Sequence, residues 1–518
     1  MGFLGFLALP DWVILAVTAV VLLYMYITRR RNYWKNQNIT YEPVSLLQSF
    51  KTLFEPYHIF DVRMYKKHGK MFGIFEGMKP MLILSDPELL KQVLVKDFAE
   101  LPERRRSLFM DPLLDNMMSV APPKCWKKVR QASSPAFSTG RLSKMIHLVE
   151  DCARVTAGHL RKVAKERKDI DAKKFFSNYA LDIIARCAFG THLDSYDDET
   201  SEFVQKADKA FSGSVSFRLI LFVLCPGIFK LLGIKPANTD LFYFFKDLSL
   251  RIAKQRQDTN TRHEDFLQLM IDAQQDAVLE PSESTEDPEN TLFDLKDDKK
   301  PQRISERLTE DEALSQCVMF FFAGLGTTSS TLAFASYMLA LNPACQTRLR
   351  EEIDACFQKH GDRPPWEAVS KLAYLDGVIC ETLRMFPIAS RLERTATEDY
   401  TLADTGITLP KDCIVAIPVH AMHHDPEYFP DPEQFDPERF ITERASCIRP
   451  YTYLPFGAGP RNCIGMRFAL QSLKLCLLYA VRNAEFVPTA NTKIPLEYRS
   501  GYPALMVKDI TVGVRQRS

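Results

Sequence analysis

The sequence carries almost no net charge and has no paired cysteines. Its 66 lysines and arginines nearly balance 65 aspartates and glutamates, leaving a formal net charge of +1, so nothing in the overall charge suggests a nucleic-acid-binding protein. The twelve cysteines are scattered without a Cys-x-x-Cys pair or a regular spacing, which argues against a zinc site or a disulfide framework. No internal repeat of fixed period is visible. No regular alternation of strands and helices appears either, and helical patterns dominate the chain.

The N-terminus lacks the basic region that precedes the apolar core of a cleaved signal peptide. Trp12–Ile27 is an uncharged, mainly apolar run, and Arg29–Arg31 follow it directly. The positive-inside rule puts these arginines in the cytosol. Residues 1–31 therefore predict a single membrane-anchor helix with its stop-transfer arginines. A cleaved signal peptide is the alternative.

The rest of the chain predicts a linker and one large domain. Residues 32–45 form a polar linker with a single proline, and residues 46–518 form a helix-rich domain with a small β component. Met71–Leu84 consists of two apolar runs around a turn sequence, which predicts a hairpin.

Two stretches inside this domain have a distinctive composition. Residues 277–304 are rich in Asp, Glu, Ser and Pro, which predicts a solvated loop rather than a domain boundary. Residues 214–246 are strongly aromatic. They fit either an ordinary buried helix pair or a membrane-dipping flap over a lipophilic channel.

One loop carries the strongest chemical signal. Phe456–Gly465 places a single cysteine, Cys463, among glycines just before a helical pattern. A nearby helix N-terminus and backbone N–H groups favour the thiolate, which is the form that binds a metal. The glycines Gly457, Gly459 and Gly465 allow positive φ angles and a close backbone approach to a flat partner.

This loop resembles the haem-binding loop of the cytochrome P450 family, F-x-x-G-x-R-x-C-x-G, at every fixed position. The resemblance implies the cytochrome P450 fold, mainly α with a small β component, preceded here by the membrane-anchor helix. It also implies haem b as cofactor and Cys463 as the iron ligand. The residues implied to bind the cofactor are Trp126, Arg130, Arg394, Phe456, Gly457, Arg461, Cys463 and Gly465.

A long apolar helical pattern, Leu314–Leu341, contains two glycines and four hydroxyl residues in its middle, Ala323–Ser330. Because such residues are unfavourable inside a helix, we expect a kink that opens a groove. The stretch is similar to the distal helix of the family, which implies catalytic roles for Thr327 and Thr328 in oxygen activation. The family's acidic residue is replaced here by Gly326.

Three further residues are predicted to be structural. Glu381 and Arg384 have the spacing of an ion pair on one helix face. They resemble the family's E-x-x-R helix, and that resemblance implies Arg439 of Pro437–Phe440 as their partner.

Trp126 and Arg130 lie one turn apart on a predicted helix and can donate together to a carboxylate. The family uses this pattern to bind a haem propionate.

Together these motifs predict an NADPH-dependent monooxygenase that inserts one oxygen atom of O2 into lipophilic substrates. The resemblance, which is closest to the animal clan containing the family 3 drug oxidases, implies a single-pass protein of the endoplasmic reticulum membrane with a cytosolic catalytic domain. Its implied partners are NADPH–cytochrome P450 reductase, cytochrome b5, the lipid bilayer and a lipophilic small molecule, with no nucleic acid. Substrate contacts are expected from Arg104–Ala121, Phe320–Thr327, Pro387–Leu392 and Arg499–Pro503.

A basic patch is expected on the thiolate side, where it would suit an acidic electron donor. Its members are Lys127, Lys128, Arg130, Arg461 and Arg467.

Two other functions stay open. Because Gly326 replaces the acid of the proton relay, an electron-independent isomerase or lyase of oxygenated lipids, of the thromboxane-synthase type, is the first alternative. A non-catalytic haem-binding protein is the second.

Overall fold

The computed structural model of the chain describes residues 13–15, 17, 18, 21, 22, 32–43, 55–76, 79–105, 111–197, 202–212, 218, 229, 231–235, 238–275, 307–500 and 504–517. The acidic loop predicted at 277–304 and most of the aromatic stretch 214–246 lie outside these residues. So does most of the predicted membrane anchor. The described residues of Trp12–Ile27 are helical, and the side chains of Ile14, Leu15 and Leu22 among them are exposed.

The fold is mainly helical, as the sequence predicts. The α-helices are α1 (Tyr33–Asn36), α2 (Tyr57–His68), α3 (Pro87–Lys91), α4 (Pro112–Asp115), α5 (Pro123–Ser133), α6 (Thr139–Glu166), α7 (Ala172–Phe189), α8 (Glu202–Ser212), α9 (Asp240–Asp258), α10 (Phe266–Gln275), α11 (Glu310–Leu341), α12 (Pro343–His360), α13 (Trp366–Val369), α14 (Ala373–Met385), α15 (Val419–His423), α16 (Thr442–Ser446) and α17 (Met466–Asn483). A π-helical turn, Gln92–Lys96, continues α3.

Nine short strands form three small sheets in the described part of the chain. The strands are β1 (Met71–Glu76), β2 (Lys79–Leu84), β3 (Asp169–Asp171), β4 (Leu392–Thr395), β5 (Tyr400–Thr401), β6 (Thr408–Leu409), β7 (Ile414–Ile417), β8 (Glu485–Val487) and β9 (Thr511–Arg515). The largest sheet has the order β1-β2-β7-β4, the second β3-β9-β8, and the third β5-β6. The predicted hairpin is confirmed as the antiparallel pair β1 and β2, with Met71 opposite Leu84.

The helix α11 runs through the centre of the protein and is buried along most of its length. It packs against α7, α9, α10 and α17, and a capping box between Thr309 and Glu312 fixes its start. It is the one described helix that is long and apolar enough to cross a membrane. Since most of it is buried, its composition reflects a position in the core.

The segment 32–43 packs against the largest sheet, although its polar composition predicts a linker. Trp34 is fully buried, and its indole N–H donates to the carbonyl of Ile74 at 2.9 Å. A Cβ atom at Gly73 would lie 2.3 Å from the Trp34 ring, so the strand leaves room for the indole only because residue 73 is glycine. The amide of Glu42 donates to the carbonyl of Gly73, and the amide of Gly73 donates to Thr40. This part of the chain is therefore fixed to the sheet by side-chain and backbone contacts.

Candidate active site

The Cys463 loop is a compact turn that leads into α17. The amide of Cys463 donates to the carbonyl of Phe456 at 2.9 Å, and the amide of Asn462 donates to Gly459 at 2.9 Å. Gly457 and Gly459 have positive φ angles of 75° and 70°, a conformation that glycine allows. Gly465 has a φ angle of −88° and precedes α17 as its N-cap. That conformation is open to any residue.

The thiol of Cys463 faces an internal space. Cys463 is solvent-accessible, while the neighbouring residues Arg461 and Met466 are buried. Burial within the protein raises the pKa of this thiol, and the backbone N–H of Gly465 together with the guanidinium groups of Arg130 and Arg104 opposes the rise. Accessibility combined with a strong desolvation effect describes a thiol at the bottom of a cavity rather than on the outer surface.

Four arginines converge around this loop without a carboxylate partner among the described residues. Arg104 donates to the carbonyl of Arg461 at 2.6 Å, and Arg130 donates to Asn462 through both its Nη atoms at 2.8 and 2.7 Å. Arg461 donates to the carbonyl of Ala121 at 3.0 Å, and Arg394 donates to that of Glu393 at 2.9 Å. All these acceptors are neutral, so the cluster keeps its positive charge.

Burying the positive charge of these four arginines without a negatively charged partner costs free energy. The buried Nε atoms of Arg394 and Arg461 have no hydrogen-bond partner. Burial and then the neighbouring Arg104 lower the pKa of Arg461 to about 9, and burial lowers the pKa of Arg130 to about 10. Burial also lowers the pKa of Arg394, with Arg104 and Arg461 adding to the shift. The chemistry of this donor set fits a ligand with more than one carboxylate, as a haem with its two propionates has.

Trp126 completes the base of this cluster. It lies on α5 and is buried, and the guanidinium carbon of Arg461 lies 4.6 Å from its ring centroid. A stacked guanidinium keeps its hydrogen-bonding edge free. The structure therefore brings Trp126, Arg130, Arg394 and Arg461 together around the Cys463 loop, as the motifs predict.

The two threonines that are predicted to be catalytic have different surroundings on α11. Thr327 and Ala323, one turn apart, are exposed in the middle of a buried helix, and the Thr327 hydroxyl donates to the Ala323 carbonyl at 2.7 Å. Thr328 is buried, because one residue along a helix turns the side chain by about 100°. The structure therefore favours Thr327 alone as a residue that faces substrate.

The helix α11 runs without a break from Glu310 to Leu341, although it contains two glycines and four hydroxyl residues in its middle. The hydroxyls of Ser329 and Thr331 donate to carbonyls one turn earlier, at 2.7 and 2.9 Å. These bonds satisfy the polar side chains without interrupting the helix.

The predicted structural triad is present. Arg384 donates to both carboxylate oxygens of Glu381 at 2.7 and 2.8 Å, and Arg439 donates to the same carboxylate at 3.3 Å. All three side chains are buried. Arg384 also donates to the carbonyls of His423 and Pro432 at 2.8 Å. The triad thus holds α14 against the segment that leads to the Cys463 loop.

The expected basic patch is wrong for three of its five members. Arg130 and Arg461 point inward, as described above. Lys128 is mostly buried and pairs with Glu312 at 2.6 Å. Only Lys127 is exposed, while Arg467 is half-buried and contacts Thr139. Spacing along the sequence did not distinguish arginines that face a cavity from those that face solvent.

Sequence reasoning missed two residues of the site. Arg104, predicted only as part of a substrate-contact range, joins the arginine cluster 357 positions away in the chain from Arg461. Gln316 on α11 is fully buried, and it accepts from the amide of Met118 at 2.9 Å and donates to the carbonyl of Asn116 at 2.8 Å. For Gln316 the sequence offered one signal, namely a glutamine within an apolar helical run.

Comparison with known proteins gives consistent matches over almost the whole chain. A family model described as Cytochrome P450 matches residues 42–511. Cytochrome P450 3A2 of Rattus norvegicus is 37% identical over 503 residues, which cover 96% of this chain and 95% of the relative. Cytochrome P450 3A5 of Homo sapiens is 37% identical over 497 residues, which cover 95% of this chain and 93% of the relative.

Proposed function

The chain belongs to the cytochrome P450 family, and we propose that it oxidises lipophilic small molecules with electrons from NADPH. As a member of this family it is a haem-dependent monooxygenase, an oxidoreductase that incorporates oxygen from O2. The finer proposal is that one oxygen atom is inserted into substrates of the xenobiotic, steroid or fatty-acid type. NADPH–cytochrome P450 reductase is the proposed electron donor and cytochrome b5 a second one.

The observation that carries this proposal is the arginine cluster beside Cys463. Four guanidinium groups without a carboxylate partner in the described residues lie around the loop of an accessible thiol, with Arg104 and Arg130 near the sulfur. Two of the four, Arg394 and Arg461, keep a buried Nε without an acceptor. Haem b offers two carboxylates and an iron that binds thiolate, so one group would satisfy both features. When bound, haem with a thiolate ligand supplies the activation of O2.

Each residue then has a definite role. Cys463 holds the iron, and the Gly465 N–H and nearby guanidinium groups stabilise its thiolate form. Arg104, Arg130, Arg394 and Arg461 with Trp126 orient the propionates. Thr327 lies exposed on α11, where its hydroxyl can position water for proton delivery.

Membrane attachment is the second part of the proposal. We infer that residues 1–31 anchor the protein in the endoplasmic reticulum and that the domain 46–518 lies in the cytosol. The apolar run followed by Arg29–Arg31 supports this topology. Deletion of residues 3–27 should release much of the protein from carbonate-washed membranes with its haem intact. A mature N-terminus beyond residue 31 would show that the segment is cleaved instead.

Reconstitution with the reductase tests the activity. The full-length protein with haem should consume NADPH and yield a product with one added oxygen atom from a lipophilic substrate. Cys463→Ser should abolish the strongly red-shifted ferrous–CO Soret band of a thiolate haem. If that band survives the substitution, another residue holds the iron.

An isomerase of oxygenated lipids is the second candidate, and Gly326 is the observation that favours it. This glycine lies directly before Thr327, where the family's distal helix carries an acid, and an isomerase needs no acid–threonine relay. Turnover of a lipid hydroperoxide without reductase, together with no NADPH consumption for any ligand, would replace the monooxygenase proposal. Absence of both activities would leave a non-catalytic haem protein.

A further inference from the structure

A buried carboxylate lies at the outer edge of the segment that covers the arginine cluster. Asp111 is fully buried, and it caps α4 by accepting from the amide of Leu113 at 3.1 Å. Two further donors reach it from another part of the chain. Lys235 Nζ lies 2.7 Å from one carboxylate oxygen, and the Tyr243 hydroxyl donates to the same oxygen at 3.2 Å. Tyr243 is on α9, so Asp111 joins the start of segment 111–121 to Lys235 and to α9.

The other end of segment 111–121 is attached to the protein core. Gln316 of α11 contacts Asn116 and Met118, and Arg461 donates to the carbonyls of Met118 and Ala121. Segment 111–121 therefore lies between the cavity-facing helix and the loop of Cys463 on one side and α9 on the other. A displacement of this segment would change access to the proposed haem cavity.

We propose that the contacts of Asp111 with Lys235 and Tyr243 form a latch that controls how fast lipophilic ligands reach the proposed haem cavity. The two attachments of segment 111–121 differ in how readily they can open. Gln316 is fully buried, so breaking its contacts would leave its amide group unsatisfied. Lys235 is half exposed, so its ammonium group can return to water. After it leaves, Asp111 keeps the hydrogen bonds from Tyr243 and Leu113.

Two neighbouring contacts support the position of the latch residues. Lys246, one turn after Tyr243 on α9, pairs with Asp311 of α11 at 2.8 Å, which holds α9 against the start of α11. Lys235 Nζ also lies 5.5 Å from the Tyr243 ring centroid, within range of a cation–π contact. Because Lys235 is half exposed, salt should weaken its pairing with Asp111 and speed opening.

Lys235→Met tests the latch, because it removes the half-exposed lysine and leaves Asp111 with its hydrogen bonds from Leu113 and Tyr243. Lys144→Met is the matched control, since Lys144 forms an exposed ion pair of similar length, 2.6 Å, with Glu264. The rate of the Soret shift on mixing haem-loaded protein with clotrimazole measures ligand access. Lys235→Met should raise this rate about threefold to tenfold and reduce its dependence on salt, with a smaller increase for Tyr243→Phe. Lys144→Met should change neither.

Hydrogen exchange gives a readout that does not need haem. Backbone amides of residues 112–121 should exchange faster in Lys235→Met than in the wild-type protein and in Lys144→Met. Unchanged exchange of these amides overturns the latch. If these amides exchange faster but the rate of the Soret shift with clotrimazole is unchanged, the latch does not control ligand access. The role of the latch in ligand access rests on the proposed haem cavity. A protein that failed to bind haem would disprove the proposed function, but hydrogen exchange would still test the contact between Asp111 and Lys235.

Discussion

Gly459 and Leu94 approach each other so closely that residue 459 must lack a side chain. A Cβ atom on Gly459 would lie 2.0 Å from the carbonyl oxygen of Leu94, and the φ angle of Gly459 is +70°. The π-helical turn that contains Leu94 therefore presses against the Cys463 loop from outside the cavity. This contact fixes the loop by shape rather than by hydrogen bonding.

Gly459→Ala should consequently misplace the loop and prevent stable haem incorporation. Gly465→Ala is the control, because Gly465 has a negative φ and the nearest atom to its Cβ would be Phe137 Cε1 at 3.7 Å. The absorbance of haem relative to protein after purification measures the difference. Equal haem content in both variants would show that the Leu94 contact does not define the loop.

Thr327→Ala and Thr328→Ala should affect different properties. Thr327 is exposed on the cavity side of α11, so we expect its loss to lower the product formed per NADPH, by up to the roughly 10²–10⁴-fold of a well-placed acid–base group. Thr328 is buried, so its loss should lower stability and leave coupling nearly unchanged. Product yield and peroxide release, measured together, distinguish the two. Coupling that depends on Thr328 instead would contradict the exposure difference.

Trp34→Ala should destabilise the catalytic domain. The buried indole is lost together with its hydrogen bond to Ile74, and large-to-small substitutions of this kind cost about 3–5 kcal/mol. Lys35→Ala, at the exposed neighbouring position, should stay within about 0.5 kcal/mol of the wild-type protein. Urea unfolding followed by circular dichroism compares them. A neutral Trp34→Ala would mean that segment 32–43 is dispensable for the sheet.

The stacked rings of His420 and His424, which are half-buried, pack against buried His58, and this group should make the protein sensitive to mild acid. The His420 ring centroid lies 4.1 Å from that of His424 and 4.9 Å from that of His58. Burial lowers the pKa of His58 to about 4, with His424 adding to the shift, and burial lowers the pKa of His424 to about 4. The positive charges of Arg384 and Lys66 also lower the pKa of His424, because they repel the protonated form of the imidazole.

The folded-state pKa of His58 and His424 lies below the ordinary value of 6.5. The unfolded chain therefore binds more protons between the two values. Their contribution to stability is complete above pH 6.5 and is lost as the pH falls toward 4, by up to about 3 kcal/mol for each group. His424→Asn should flatten this dependence in urea unfolding at several pH values. His192→Asn, at an exposed position, should not. An unchanged slope in His424→Asn would disprove the role of the stack.

The motifs predicted the parts of the site whose residues lie close together in the sequence. The Cys463 loop, the pair Glu381 and Arg384, and the one-turn spacing of Trp126 and Arg130 each depend on a few adjacent residues, and the structure brings them together. Arg104 could not be found in this way, because its neighbours in the cluster come from distant parts of the chain. Its position is set by the packing of separate elements, which no local pattern encodes.

Other features of the structure lie beyond the sequence patterns for equally specific reasons. Two adjacent threonines look equivalent in a sequence, but helix geometry leaves Thr327 exposed and Thr328 buried. The composition of residues 32–45 did not reveal the packing of this segment, because one buried tryptophan, Trp34, has little weight in a composition argument. The basic patch failed because Arg130 and Arg461 satisfy a buried site, while charge counting assumes that arginines are solvated.

The hydrogen bonds of Arg384 limit the substitutions that this protein can accept at that position during evolution. Its three nitrogens reach Glu381 and the carbonyls of His423 and Pro432, and a lysine offers a single nitrogen that cannot span the same acceptors. Loss of the arginine would leave the buried Glu381 carboxylate with only the Asp436 amide at 3.0 Å and Arg439 at 3.3 Å as donors, which is costly for a buried charge. The Glu381 and Arg384 positions are therefore expected to stay constant while the cavity walls diversify, which lets new substrate preferences arise on an unchanged frame.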